Sequence, residues 1–208
     1  MLCSMLLSKE YADAIVNMRE NLGGELLSMT RFRSWVDNWP VLHYARFLLE
    51  TGRVEKYLLL MYAHTAHHGR PDLMAYYEQI RTSAEVKADD CVPSLLTTPA
   101  MLGWAFAYER IGDRVLQLLS AIPKEWYNMP FFAKGIGYSG GKLDIVSDGK
   151  SVEITFEKET SSPVELIWRA KDEISYSDIL VGSECVEGIC QNRIILKSGI
   201  TSVKLQII

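Results

Sequence analysis

The stretch KLDIVSDGKSVEITFEKE, Lys142 to Glu159, constrains this chain more than any other. Apolar and polar residues alternate on both sides of Asp148-Gly149, which is the pattern of two strands joined by a tight turn. Further alternating runs follow at VELIWRAK, SDILVGSE, NRIILKSG and TSVKLQII, so the C-terminal part reads as five or six short strands in a small antiparallel sandwich or sheet. Upstream of about residue 130 the period is different. EYADAIVNM places Tyr11, Ile15 and Met18 at helical spacing, and VLHYARFLLETG does the same with Val41, Leu42, Ala45, Leu48 and Leu49 before Gly52. Pro40 suits the first turn of that helix, where its missing N–H costs nothing.

A second helix, RVEKYLLLMYAHTAHHG, follows directly and makes an antiparallel hairpin pivoting at Thr51-Gly52. Another hairpin is expected at TPAMLGWAFAYERIG and DRVLQLLSAIP, with Thr98 as N-cap, Pro99 in the first turn and Gly112 as pivot. Between the hairpins, from Arg70 to Thr97, periodicity is weak and turn residues are common, which is where a rigid scaffold carries its chemistry. The fold class expected is therefore α+β: N-terminal antiparallel helical hairpins over residues 1–130, then a β-domain over 131–208.

Composition narrows the functions. The 208 residues are 48% hydrophobic, enough for a sizeable core. A net charge of −4 offers no broad cationic surface, so nucleic acid is not an expected partner. No apolar run reaches the ~20 residues a membrane-spanning helix needs, and MLCSMLLSKE has neither an early cation nor a cleavage site, so a soluble chain without a visible export signal is expected. The cysteines Cys3, Cys91, Cys185 and Cys190 have no zinc-site spacing and read as free thiols. Cys185 and Cys190 flank VEGI, which reads as a turn that a local bridge could close. GIGYSG, Gly135 to Gly140, matches a dinucleotide pattern on paper. A strand should precede such a motif and a helix follow it, whereas here the order is reversed, so it reads as a glycine-rich linker.

The residues that carry chemistry gather in AHHGRPDLMAYYEQI, Ala66 to Ile80. Glu78 follows Tyr76 and Tyr77, and aromatic neighbours reduce a carboxylate's hydration so that it can take a proton from water. Gln79 adds an amide. His64 and His68 share a helix face at i, i+4, a spacing that chelates metals, but no third ligand is marked and neither a metal nor another cofactor is expected. FRSWVDNWP brings Arg33, Trp35, Asp37 and Trp39 together, an aromatic surface with hydrogen-bonding neighbours of the kind a sugar ring needs. Glycoside hydrolysis uses two carboxyl groups, and Glu25, Asp37, Asp89 and Asp90 are the available partners for Glu78.

The order helix hairpin, AYYEQI, polar stretch, DCVPSLLTTPAMLGWAFAYER, helix hairpin and β-rich tail resembles the last part of a six-hairpin, α/α-toroid glycoside hydrolase of the glucoamylase-like superfamily. The resemblance implies that Glu78 is the catalytic base of an inverting enzyme. It also implies that His67, His68, Tyr77 and Trp104 line a sugar pocket, to which the residue pattern adds Trp35 and Trp39. A complete toroid has about a dozen helices and a general acid upstream of the base, so the resemblance implies a carbohydrate-active module that needs a missing N-terminal half or a partner chain. The competing expectation is a non-enzymatic helical scaffold with a β-sandwich that binds proteins or glycans.

Overall fold

The computed structural model describes residues 8–37, 41–83 and 90–207. The chain divides into two compact units, Met1–Leu102 and Gly103–Ile208. Among the described residues there are four α-helices and sixteen strands in four sheets, which overturns the expected fold class. Helical hairpins do not dominate the N-terminal part, no partial toroid is formed, and sheet is not confined to a small C-terminal domain. The physical reason is that several short segments with helix-compatible periodicity find strand partners far away in sequence, and pairing overrides local preference.

In the first unit, helix α1 (Lys9–Asn21) leads into strands β1 (Glu25–Leu26), β2 (Met29–Phe32) and β3 (Trp35–Asp37). Helices α2 (Val41–Glu50) and α3 (Val54–His68) form the expected antiparallel hairpin. Its turn is a Schellman motif: Arg53 N–H donates to the Leu48 carbonyl at 2.8 Å and Gly52 N–H to Leu49 at 3.0 Å, with Gly52 at φ +69°. The hairpin buries Tyr44, Leu48, Tyr57 and Leu60 almost completely, each contributing about 1.5–3 kcal/mol for its apolar part. Polar contacts fasten α1 to it. Arg53 pairs with Asp13 at 3.0 Å, Lys56 with Glu20 at 2.6 Å, and the Arg19 guanidinium lies 3.9 Å from the centre of the Tyr44 ring.

The segment expected to be irregular is a set of short strands: β4 (Gly69–Arg70), β5 (Ala75–Tyr76) and β6 (Gln79–Arg81). Strand β6 joins the order β1-β2-β3-β6, while β4 and β5 pair with each other. Helix α4 (Val92–Phe106) starts six residues before Thr98, so Pro99 lies inside it. Ser94, Thr97 and Met101 are fully buried along one stripe, and that burial outweighs the backbone bond lost at Pro99. Thr97 donates its hydroxyl to the Pro93 carbonyl at 3.2 Å, and the buried Tyr57 hydroxyl donates to the Met101 carbonyl.

In the second unit the expected helix after Gly112 is absent. Strands β7 (Ala107–Glu109) and β8 (Leu116–Leu118) form a hairpin instead, because β8 pairs in parallel with β12 (Val164–Ile167). The residues between them in sequence supply β9 (Pro130–Tyr138), β10 (Gly141–Asp148) and β11 (Ser151–Phe156). The chain ends with β13 (Ile179–Val181), β14 (Val186–Cys190), β15 (Arg193–Leu196) and β16 (Ser202–Gln206). Two five-stranded sheets result, with orders β13-β16-β11-β10-β9 and β14-β15-β12-β8-β7. Each buries one face: Leu143, Ile145, Val152, Ile154, Val203 and Leu205 in the first, Leu116, Leu118, Val164, Leu166, Ile194 and Leu196 in the second. Tyr127 meets both sides of this core, at 6.3 Å from the Phe131 ring and 4.9 Å from that of the fully buried Trp168.

Two sequence expectations are corrected here. GIGYSG is not a linker but the end of β9 and its turn into β10. Gly135, at φ +66°, sits where the β9–β10 register shifts, and its N–H donates to the Asp144 carboxylate at 2.7 Å. VEGIC is not a turn but strand β14, and Cys185 and Cys190 are free. A five-residue strand extends for roughly 16 Å, well past the separation that a disulfide spans.

Candidate functional site

Most of the residues marked by sequence lie in the first unit, where α3 ends against the short strands. Tyr77 N–H donates to the His68 carbonyl at 3.0 Å, and Cys91 N–H to the Tyr76 carbonyl at 3.0 Å. These bonds hold the two tyrosines beside the helix end. Because Tyr76 and Tyr77 are consecutive in an extended segment, they have different surroundings.

Tyr76 faces the histidines. His64 is stacked between His68 and Tyr76, with both ring centroids 5.2 Å away and interplanar angles of 19° and 12°. His64 and His68 are fully buried. His68 Nε2 lies 3.2 Å from the Val36 carbonyl, but His68 Nδ1, both His64 nitrogens and the Ser94 hydroxyl make no hydrogen bond among the described residues. Burial, with a smaller contribution from His68, depresses the pKa of His64 to about 3, against a weak opposing effect of the Ser94 backbone. Burial also lowers that of His68, opposed by the Val36 carbonyl and by Asp37. Both rings are neutral at physiological pH. Among the described residues no group of three His, Cys, Asp or Glu side chains could hold a metal ion. His67 is exposed.

Tyr77, half-buried like Tyr76, has different neighbours. The Arg70 guanidinium lies 5.1 Å from the centre of its ring and pairs with Asp90 at 3.1 Å, and Asp90 also bridges to Tyr77 through the backbone. Glu78 occupies the bend between β5 and β6, is half-buried, and makes no hydrogen bond or ion pair among the described residues. It is neither waving in solvent nor tied to a cation. Directly after it, Gln79 Nε2 donates to the Asp37 carboxylate at 3.3 Å across the β3–β6 pair.

The register of this sheet brings together residues that single-sequence reasoning left scattered. Phe32 opposes Trp35, and Trp35 opposes Arg81, so the three form one cross-strand row. Phe32 is 63% exposed, Trp35 is half-buried, and the Arg81 guanidinium lies 5.2 Å from the Trp35 ring centre. The adjoining row is Thr30, Asp37 and Gln79, and the opposite face buries Val36 and Ile80. Trp35 was marked by sequence. Phe32 and Arg81 were not, although the alternation of Thr30, Phe32, Trp35 and Asp37 about Arg33-Ser34 is a legible hairpin signal. Nothing in the sequence marked Arg70.

Trp104 belongs to the second unit, where it is half-buried and meets the Tyr108 ring edge-on at 6.1 Å. Trp39, Pro40, Cys3 and Asp89 lie outside the described residues. Among the described residues no helix is long and apolar enough to cross a membrane. No protein-family model, no curated protein and no solved structure matches this chain.

Proposed function

We propose that the first unit is a carbohydrate-active module in which Trp35 and Tyr77 offer aromatic faces to a neutral saccharide and Glu78 is the carboxylate that accepts a proton from water. The observation that carries this reading is the state of Glu78: half-buried, unpaired among the described residues, preceded by Tyr77 and followed by an amide already oriented by Asp37. A carboxylate with those neighbours is available as a base, and flanking aromatic rings with amide and guanidinium groups are the chemistry that recognises a sugar ring.

Hydrolysis of a glycosidic bond needs a second carboxyl group on the other side of the sugar. Asp37 is engaged by Gln79 and Asp90 by Arg70, so neither is free to serve as the acid. The module is therefore proposed to bind saccharide alone and to turn it over only with a further protein segment. The helices support this. Tyr11, Ile15 and Met18 on α1 are 69%, 39% and 58% exposed at helical spacing, and Val92 and Leu96 on α4 are also exposed. Apolar stripes of that kind suit helices that pack against more protein.

The experiment is oligosaccharide binding by calorimetry together with reducing-end release, on the unaltered chain and on Glu78→Gln and Trp35→Ala. Binding that survives in Glu78→Gln and weakens about tenfold in Trp35→Ala supports the reading. Saccharide binding indifferent to Trp35 removes it. Hydrolysis by the chain alone that persists in Glu78→Gln would assign the chemistry to another carboxylate.

A further inference from the structure

Several elements of the first unit meet at the His64–His68 pair, and two of them carry the candidate site. His68 Nε2 lies 3.2 Å from the carbonyl of Val36, the β3 residue between Trp35 and Asp37. The His68 carbonyl accepts the Tyr77 N–H at 3.0 Å, and the His64 ring stacks on Tyr76 at 5.2 Å. The segment Tyr76–Glu78 is therefore attached to the end of α3 through these two histidines. Cys91 N–H, bonded to the Tyr76 carbonyl at 3.0 Å, ties in the start of α4, where the Ser94 side chain is fully buried.

The groups around the pair decide how it responds to a proton. Helix α3 brings the two rings and the exposed His67, whose charge disfavours a second one on His68, whereas Asp37 on β3 favours it. Strand β5 brings the Tyr76 ring, and α4 brings the neutral Ser94. Among the described residues no carboxylate bonds either ring, and three of the four ring nitrogens have no partner. An imidazolium in such surroundings is stable only when water reaches it. Both histidines are fully buried, so water reaches them only when the strands that cover them move away. The second unit contains no histidine, which confines this response to the first.

We propose that proton uptake by His64 and His68 releases the Tyr76–Glu78 segment from the end of α3, so that the buried pair is a latch that acid opens. That the released segment belongs to a sugar site rests on the proposed function; the release itself does not. Above pH 6.5 both rings are neutral whether the latch is closed or open, and pH has no effect through them. Below that value the open form takes up protons that the closed form refuses, and the open fraction rises as pH falls. With its folded pKa near 3, His64 alone multiplies the opening constant about a hundredfold between about pH 7.5 and pH 4.5. His68, depressed in the same direction, multiplies it further.

The test is native-state hydrogen exchange of the full chain, corrected for the intrinsic pH dependence of exchange. The reporters are the Tyr77 and Cys91 N–H groups, whose bonds cross the latch, and the amides of β11 in the second unit are the control. Protection at Tyr77 and Cys91 should fall about a hundredfold or more between about pH 7.5 and pH 4.5 while that of β11 changes little. His64→Phe should remove about a hundredfold of that fall, and His68→Gln, which keeps a donor for the Val36 carbonyl, should shrink it as well. Oligosaccharide affinity should decline over the same pH range. No saccharide binding at pH 7.5 would remove the proposed function without touching the exchange result. Protection at the reporters that is flat with pH, that falls equally in β11, or that falls as far in both variants as in the unaltered chain would overturn the latch, as would saccharide binding undiminished at pH 4.5.

Discussion

The histidine stack makes a quantitative demand on stability at acid pH. His64 is fully buried, lacks a hydrogen-bond partner at either nitrogen among the described residues, and has its pKa depressed from 6.5 to about 3. Above pH 6.5 the ring is neutral in both the folded and the unfolded chain and contributes no pH dependence. Below that value the unfolded chain takes up a proton that the folded chain refuses, so stability falls as pH drops from 6.5 toward 3. Each unit is worth about 1.4 kcal/mol, which makes the loss from His64 alone about 3 kcal/mol at about pH 4.5. His68, depressed in the same direction, adds to it. His64→Phe keeps an aromatic ring between His68 and Tyr76 and removes the proton site. Urea unfolding of both proteins at neutral pH and near pH 4.5 should therefore show the variant losing about 3 kcal/mol less on acidification. Any repacking cost of the larger ring is independent of pH and cancels in that difference. Parallel loss in the two proteins would mean that His64 is protonated in the folded state, and the buried neutral stack would be refuted.

Other perturbations test other parts of the structure. Glu165, on β12, is buried and accepts from Gln117 at 2.7 Å, Arg193 at 2.9 Å and Arg110 at 3.1 Å. Arg110 keeps Asp113 and Arg193 reaches water, so Glu165→Ala mainly strands the Gln117 amide and should cost about 2–3 kcal/mol in denaturant unfolding. Gly135→Ala should cost about 1–2 kcal/mol through the positive φ alone, because nothing lies within 4 Å of the added carbon. A smaller effect would show that the bulge relaxes. Ile154→Ala, in the middle of β11 and fully buried, should cost about 2–5 kcal/mol and lower the melting temperature accordingly.

Where the sequence was legible, a short-range physical rule was at work. The α2–α3 hairpin was readable because Gly52 supplies the left-handed residue its Schellman turn needs and because both helices carry their apolar residues on one face. Strands β10 and β11 were readable from strict alternation about Asp148-Gly149, although the structure places the two-residue turn one position on, at Gly149-Lys150, and pairs Ser147 with Val152. Glu78 and Trp35 could be marked by residue type. What surrounds them could not, because Arg81 reaches Trp35 only through the β3–β6 pairing, across more than forty residues of sequence.

The chain by itself therefore determined its α2–α3 helical hairpin, its alternating C-terminal strands and the aromatic character of the Ala66 to Ile80 stretch, since each depends on residues within a turn or two of one another. Tertiary structure alone decided that LQL at 116–118 is a strand, because its parallel partner VEL lies at 164–166. It alone decided that Ser94, Thr97 and Met101 carry α4 through a proline, and that His64 is buried between two rings. Those outcomes are set by burial and by long-range backbone pairing, two free energies that no local window of sequence contains.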